Sequence, residues 1–292
     1  MSNKKKIIGG ILIVVLIAVY VGLKTYAGNI AKKRVNKAIG KVANFVDVDY
    51  DNVSVDLIGL NPHINGVTIS PAGEEREKEK ILIDDIVVYD IDDEGKIPLY
   101  LHVGLNGINA NLNSFGNDAK KLKDLGYDNI KANIELDYKY DDKEKEFYLN
   151  ALSIGAEKMG TINLAFHISN VDLNPDNIMS IMSSFPQILI HYADLSYKDA
   201  SLVTRLQKKA AKENGEDVDS FINKITKEID KEISQEKDKF TKQAMEAFKE
   251  FIKKPNKILI SISPKKPVPI GRMQRVNDPK EIIKLLNVKV RT

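Results

Sequence analysis

The 292-residue chain contains no cysteine, which excludes disulfides, thiolate-held metal sites and a cysteine nucleophile. It also lacks the short motifs that carry common chemistries: there is no G-x-S-x-G, no Walker A loop, no G-x-G-x-x-G and no H-E-x-x-H. Net charge is small, +3, but that figure hides a segregation. Residues 1–41 carry nine Lys or Arg and no acid, residues 253–292 carry eleven against two acids, and the stretch between them is left at −15. A uniformly basic nucleic-acid binder does not look like this, and few aromatics interleave with the cations as base stacking requires. No nucleic-acid partner is expected. What is present, 43% hydrophobic and 29% charged residues with 17 Gly and 10 Pro, is the composition of a folded chain with a sizeable core rather than a disordered one.

Ile7–Leu23, IIGGILIVVLIAVYVGL, is an uncharged, almost wholly apolar run of seventeen residues bounded by Lys4–Lys6 and Lys24. As a helix it covers about 25 Å, slightly less than a hydrocarbon core of roughly 30 Å, and Lys24 can snorkel while Thr25–Ala27 reach the interface. It is apolar on every face, unlike a soluble amphipathic helix. A cleaved signal peptide is the competing reading, because Thr25-Tyr26-Ala27 offers small residues to a peptidase, but the run exceeds the roughly 7–15 apolar residues of such signals. The expectation is an uncleaved signal anchor over residues 1–27, with a cytoplasmic N-terminus and an exported body. Lys24, Lys32, Lys33, Arg34, Lys37 and Lys41 lie beyond the span and pull orientation the other way. Residues 28–45 read as a basic juxtamembrane helix whose cations are candidates for contact with anionic headgroups or simply a solvated face.

After Phe45 the period changes to two. Val46, Val48 and Tyr50 alternate with Asp47, Asp49 and Asp51, and then the phase flips to Val53, Val55 and Leu57, which predicts a strand with a bulge near Asp51. Further strands are expected at His63–Ser70, Ile81–Ile91 and Leu99–Leu112. The clearest alternation, Ile130 to Tyr140, turns at DDKEKE and climbs back through Phe147–Ile154; with Ile162–Ile168 it forms an antiparallel meander with one apolar face. Strands of eleven residues would span roughly 36 Å. A short helix is expected at Asn174–Phe185 and a strand at Ile188–Tyr197. Asp199 is placed to cap a helix from Ala200 to Asn214. A longer amphipathic helix is expected from Asp217 to Pro255, its apolar stripe facing the sheet. Ile258–Ile262 is a strand, Asp278-Pro279 opens a last helix, and Val288 and Val290 form an edge strand. The fold class is α+β: a long, curved antiparallel meander packed by a long amphipathic helix, in one domain over residues 46–292 or in two meeting near residue 115.

No catalytic, cofactor-binding or metal-ligating residue is assigned. His63, His102, His167 and His191 are scattered singly, and His102 and His167 fall inside strands as ordinary sheet residues. Asp90–Gly95 imitates the start of a calcium loop, but its twelfth position is Leu101 rather than a bidentate Glu, so a hairpin turn is expected. Neighbouring carboxylates such as Asp84 and Asp85, or Asp141 and Asp142, point to opposite faces of a strand and make no acid–base pair. Lys265, Lys266, Arg272 and Arg275, in the basic C-terminal region, are candidates for an anionic surface, and solvation of a strand end and its connector explains them equally well.

Three segments carry a resemblance. VDVDYDNVSVDLIGLNPHINGVTIS (residues 46–70), following a membrane helix and a basic helix, resembles the first strands of AsmA-like and YdgA-like envelope proteins of Gram-negative bacteria. The segments YDNIKANIELDYKYDDKEKEFYLNALSIGAEKMGTINLAFHISNV (127–171) and ADLSYKDASLVTRLQKKAAKENGEDVDSF (193–221) resemble parts of domains of unknown function. The resemblance implies a periplasmic domain on a single-pass anchor in the bacterial inner membrane, and it supplies no catalytic residue. The expected function is non-enzymatic: binding of lipid or another hydrophobic ligand in envelope maintenance. The alternative is an assembly or scaffold protein that docks an envelope partner through a sheet edge or its basic C-terminal region.

Overall fold

The computed structural model describes residues 46–71, 80–92, 98–113, 119–173 and 184–292. The expected membrane span at 7–23 and the basic helix at 28–45, with Lys24, Lys32, Lys33, Arg34, Lys37 and Lys41, lie outside the described residues, as do most of the 174–185 helix and residues 93–95 of the turn at Asp90–Gly95. Among the described residues no helix is long and apolar enough to cross a membrane. The chain divides into two compact units, the first ending at Lys139 and the second beginning at Tyr140.

The first unit is an antiparallel sheet. Strands β1 (Val46–Asp49) and β2 (Asn52–Val55) both pair with β3 (Pro62–Pro71), which pairs with β4 (Ile81–Ile91), then β5 (Tyr100–Asn111), then β6 (Asn129–Asp141). Its core is aliphatic, with Val103 and Leu105 at 0% exposure and Ile83 and Ile86 at 1%. β-Branched residues dominate because they fit a pleated, buried surface.

The phase flip read near Asp51 recurs on every strand from β3 to β5. Buried positions run Ile64 then Val67 and Ile69 on β3, Ile81 and Ile83 then Ile86 and Val88 on β4, and Val103 and Leu105 then Ile108 on β5. The anticipated bulge at Asp51 is corrected: Asp49 opposes Thr68 and Asn52 opposes Asn65, so no residue is inserted. Instead the chain breaks at Tyr50–Asp51 opposite Gly66, which has φ +63°; the same register puts Asp84 beside Gly66 and opposite Gly107, φ +66°. Asp51, Gly66, Asp84 and Gly107 thus form one row across the sheet. On β3 and β5 a left-handed glycine turns the following side chains over, while β4 makes the same change at Asp84–Asp85 without a left-handed residue; because the turnover falls in one row, the apolar residues on both sides of it reach the same core. The flip stops at β6, where the β5–β6 register shifts between Leu105 and Ile108 and Ala132, Ile134, Leu136 and Tyr138 keep a single phase.

In the second unit β7 (Glu146–Ala156), β8 (Gly160–Ser169) and β9 (Leu189–Asp199) form an antiparallel meander, and β9 continues to β10 (Lys257–Ile262) and to β12 (Lys289–Arg291), with β11 (Val268–Pro269) also on β9. The turn at 142–145 between β6 and β7 is held by Asp141 Oδ1, which accepts from the Lys143 and Glu144 amides at 3.0 and 3.1 Å. Four helices of two turns or more follow β9: α1 (Leu202–Glu213), α2 (Val218–Gln235), α3 (Lys239–Lys253) and α4 (Pro279–Leu286). α1 starts two residues later than expected, at Leu202 with Ser201 in the N-cap position and no side-chain cap bond there; Asp199, at the end of β9, still accepts the Val203 amide of its first turn at 2.9 Å. The single long helix expected over 217–255 is two. The segment 236–238 has no apolar residue to bury, Glu236 Oε1 draws the Lys237 and Asp238 amides out of helical bonding at 2.7 Å each, and Asp238 caps a new helix at the Thr241 amide, 2.9 Å. α1 packs on α2, α2 on α3, and α3 on β10 and β12, and the buried Phe251 of α3 meets Tyr197 of β9 edge-on at 6.2 Å.

Candidate functional site

Two arrangements stand out, one in each unit. In the first, the β2–β3 connection presents Leu57, Ile58 and Leu60 to solvent at 97%, 89% and 58% exposure. The loop is clamped at its base. Asp56 accepts the Asn61 amide at 2.8 Å and its side-chain NH2 at 3.1 Å, while the Asp56 amide donates to the Asn61 carbonyl at 3.1 Å. Gly59 and Leu60 take φ of +93° and +55°. The Asn61 amide bond, with help from the Asn61 and His63 side chains, holds the Asp56 carboxyl below the usual carboxylate range. His63 Nδ1 in turn lies 2.9 Å from Asp85 Oδ1, and Asn106 donates to Asp85 Oδ2 at 3.3 Å. A polar network therefore fixes a turn whose exposed residues are apolar, the reverse of ordinary turn composition.

In the second unit the meander brings a polar cluster to one face. Glu146 and Tyr148 are two apart on β7, His167 and Ser169 two apart on β8, and the register pairs Glu146 with Ser169 and Tyr148 with His167. On β9, Tyr192 opposes His167 and Ile190 opposes Ile168, so His191 is the extra residue of a bulge. The bulge aims its ring onto His167, which is stacked between Tyr148 (centroids 4.0 Å apart, 12°) and His191 (3.9 Å, 21°). His167 Nε2 is buried, makes no hydrogen bond, and lies 3.4 Å from Glu146 Oε2. The Tyr148 hydroxyl donates to the same Glu146 oxygen, and Ser169 Oγ is hydrogen-bonded to His191 Nε2 at 2.8 Å. The Glu146 bond, reinforced by burial, pushes the Tyr148 phenol up to about 12. Burial, and then the neighbouring His167, hold the His191 imidazole below its usual value. Ligand atoms of Glu146, His167 and His191 lie within 4.8 Å of one another.

Of the residues singled out from sequence, Lys265 and Lys266 lie in the β10–β11 connection, Arg272 on the helical turn Ile270–Met273 that follows β11, and Arg275 just after it; all four are exposed. Asp84 and Asp85 diverge as alternation requires, one over Gly107 and the other on His63. His102 is an ordinary sheet residue bonded to Glu135 at 2.9 Å. His167 is more than that. The meander and the i, i+2 spacing put Glu146, Tyr148, His167 and Ser169 on one face, so four of the five cluster members are within reach of strand-pairing arithmetic. His191 is not, because a bulge has no reliable sequence signal.

The architecture is thus α+β, with antiparallel sheets and helices that follow the meander of the second unit. A family model described as "Uncharacterized protein" matches residues 153–292, from late in β7 to the last residue. Over 303 aligned positions the chain is 24% identical to an "Uncharacterized protein" of Aquifex aeolicus (strain VF5), with 95% of this chain and 96% of that one covered. The similarity therefore runs through both units.

Proposed function

We propose that the chain is a non-enzymatic, single-pass inner-membrane protein of the Gram-negative cell envelope, with a cytoplasmic N-terminus and a periplasmic body that engages lipid or another hydrophobic ligand in envelope maintenance. The observation that carries this reading is the clamped apolar turn Leu57-Ile58-Gly59-Leu60. Moving a fully exposed Leu or Ile side chain from water into hydrocarbon is worth about 1.5–3 kcal/mol, and a rigid loop surrenders little conformational entropy on doing so. The apolar run Ile7–Leu23 and the resemblance of residues 46–70 to AsmA-like and YdgA-like proteins support the same reading.

The chain has no tryptophan, so I58W makes a unique probe. In full-length protein reconstituted into nanodiscs with brominated acyl chains, emission from the indole introduced by I58W is expected to shift to the blue and to be quenched, while that from F248W on α3 is not. Equal, unquenched emission from both variants overturns the reading. A second reading, a scaffold that docks an envelope protein, is favoured by the four exposed cations Lys265, Lys266, Arg272 and Arg275 and by β12, which among the described strands pairs with β10 alone and ends its sheet. Reversing those charges would abolish crosslinking to a partner in membranes if that reading holds.

A further inference from the structure

The Glu146–His167–His191 cluster has no part in that reading, and its geometry points to a further site: we propose that these three side chains bind one divalent transition-metal ion, of which Zn2+ is the working example, with a coordination position left open. Two imidazoles and one carboxylate form a donor set suited to borderline ions such as Zn2+ and poorly suited to Mg2+ or Ca2+, which take oxygen ligands. His167 Nε2 is buried and lies 3.4 Å from Oε2 of the partly exposed Glu146 without forming a hydrogen bond. Two ligands on one tetrahedral ion, with bonds near 2.0–2.1 Å, lie about 3.3 Å apart, so this pair already has the spacing of a shared metal rather than of a bonded ion pair.

The surroundings fit as well. Metal-bound carboxylates and imidazoles are commonly oriented by hydrogen bonds from outside the coordination sphere. Here the Tyr148 hydroxyl holds the Glu146 carboxylate, while the present bond of Ser169 Oγ to His191 Nε2 must yield when the ring turns to bind. The β9 bulge is the device that brings His191 to His167 at all; with an unbroken register only Tyr192 would oppose it. One adjustment is required. The two imidazoles are stacked 21° from parallel, so their in-plane lone pairs run side by side, and His191 must turn about its terminal side-chain torsion, a soft coordinate, for both nitrogens to converge. Three protein ligands leave the fourth position to water or to a ligand.

The test uses full-length protein in detergent, without a polyhistidine tag, stripped with EDTA and titrated with Zn2+ against a chromophoric chelator. One Zn2+ per chain is expected. H167A, H191A and E146Q, which each remove or weaken a direct ligand, should lower affinity by at least the roughly 10–100-fold that loss of an outer-shell partner costs, while H102A in the first unit leaves it unchanged. Co2+ added to the stripped wild-type protein should give visible d–d absorption that Zn2+ displaces, a readout that needs no variant. Circular dichroism checks the fold of each variant, and E146Q keeps the shape of the side chain it replaces. Failure of the wild-type protein to bind Zn2+ stoichiometrically, absence of the Co2+ bands, or retention of full affinity in folded E146Q and H191A overturns the proposal.

Discussion

A Cβ atom added to Gly107 would lie 2.1 Å from Oδ2 of Asp84 on the neighbouring strand, and one added to Gly66 would lie 2.0 Å from Oδ2 of Asp51. In each pair the carboxylate covers the bare backbone of a left-handed glycine, and the two pairs sit in one row of the sheet. Gly107→Ala therefore carries two penalties, the left-handed backbone, about 1–2 kcal/mol, and the displaced carboxylate. Combining it with Asp84→Gly should remove the second penalty and leave the first. Denaturant unfolding of the two single variants and the double variant would show a favourable coupling; strict additivity would mean that the side chain does not touch the glycine in solution.

The aliphatic core of the first unit should respond to truncation as a close-packed interior does. Leu105 is fully buried between strands, and Leu105→Ala is expected to cost about 2–5 kcal/mol, whereas Ile86→Val, which removes one methylene, costs about 0.5–1.5 kcal/mol. Shifts in the denaturation midpoint at an unchanged slope measure both.

Acid sensitivity should show at the starts of α2 and α3. Asp217 is held below its ordinary carboxylate pKa first by the Ser220 hydroxyl and then by its amide, and Asp238 first by the Thr241 amide and then by its hydroxyl. A depressed folded pKa means that the unfolded chain takes up the proton first, so this stabilisation is complete above the ordinary carboxylate pKa and is lost as pH falls through the lower folded value. Asp217→Ala and Asp238→Ala should each lower the melting temperature by roughly 2–4 °C at pH 7. The deficit should shrink towards zero as pH falls through the depressed folded values, where the wild-type caps are themselves protonated. A deficit independent of pH would assign the effect to something other than the charged cap.

At the alkaline end the cluster in the second unit supplies the marker. Tyr148 donates to Glu146 and its phenol is raised to about 12. Here the folded state holds the proton more tightly, so the contribution is present below about pH 10 and is lost as pH rises through the folded value. The difference in phenolate absorbance between wild type and Tyr148→Phe should titrate at about 12, and Glu146→Gln should bring that step down towards about 10. An unmoved step in Glu146→Gln would show that the carboxylate is not what raises it.

Much of this architecture is legible in the chain itself. Strand β4 begins and ends where alternation places it, at Ile81 and Ile91, and Asp278 caps the helix it precedes, because period-two burial and cap chemistry are local properties of a few consecutive residues. The break at Glu236–Asp238 is not legible in the same way, although its residues are explicit. Its cause, an acid that bonds two amides and another that restarts the helix, competes with a stripe of apolar residues that continues on both sides.

Sequence alone determined the α+β class, the phase flip at Asp51 and the alternation of the meander strands, since side-chain alternation along a strand follows from backbone geometry; the β7–β8 register is what brings Glu146 and Tyr148 to His167 and Ser169. Tertiary structure alone decided three things. It matched the flip on one strand to a glycine on the next, it aimed His191 onto His167 through a bulge, and it braced Leu57, Ile58 and Leu60 in solvent with Asp56 and Asn61 beneath them. Each depends on inter-strand register or on a polar network closed across a turn, and the free energy of such contacts belongs to pairs of residues that no single stretch of sequence contains.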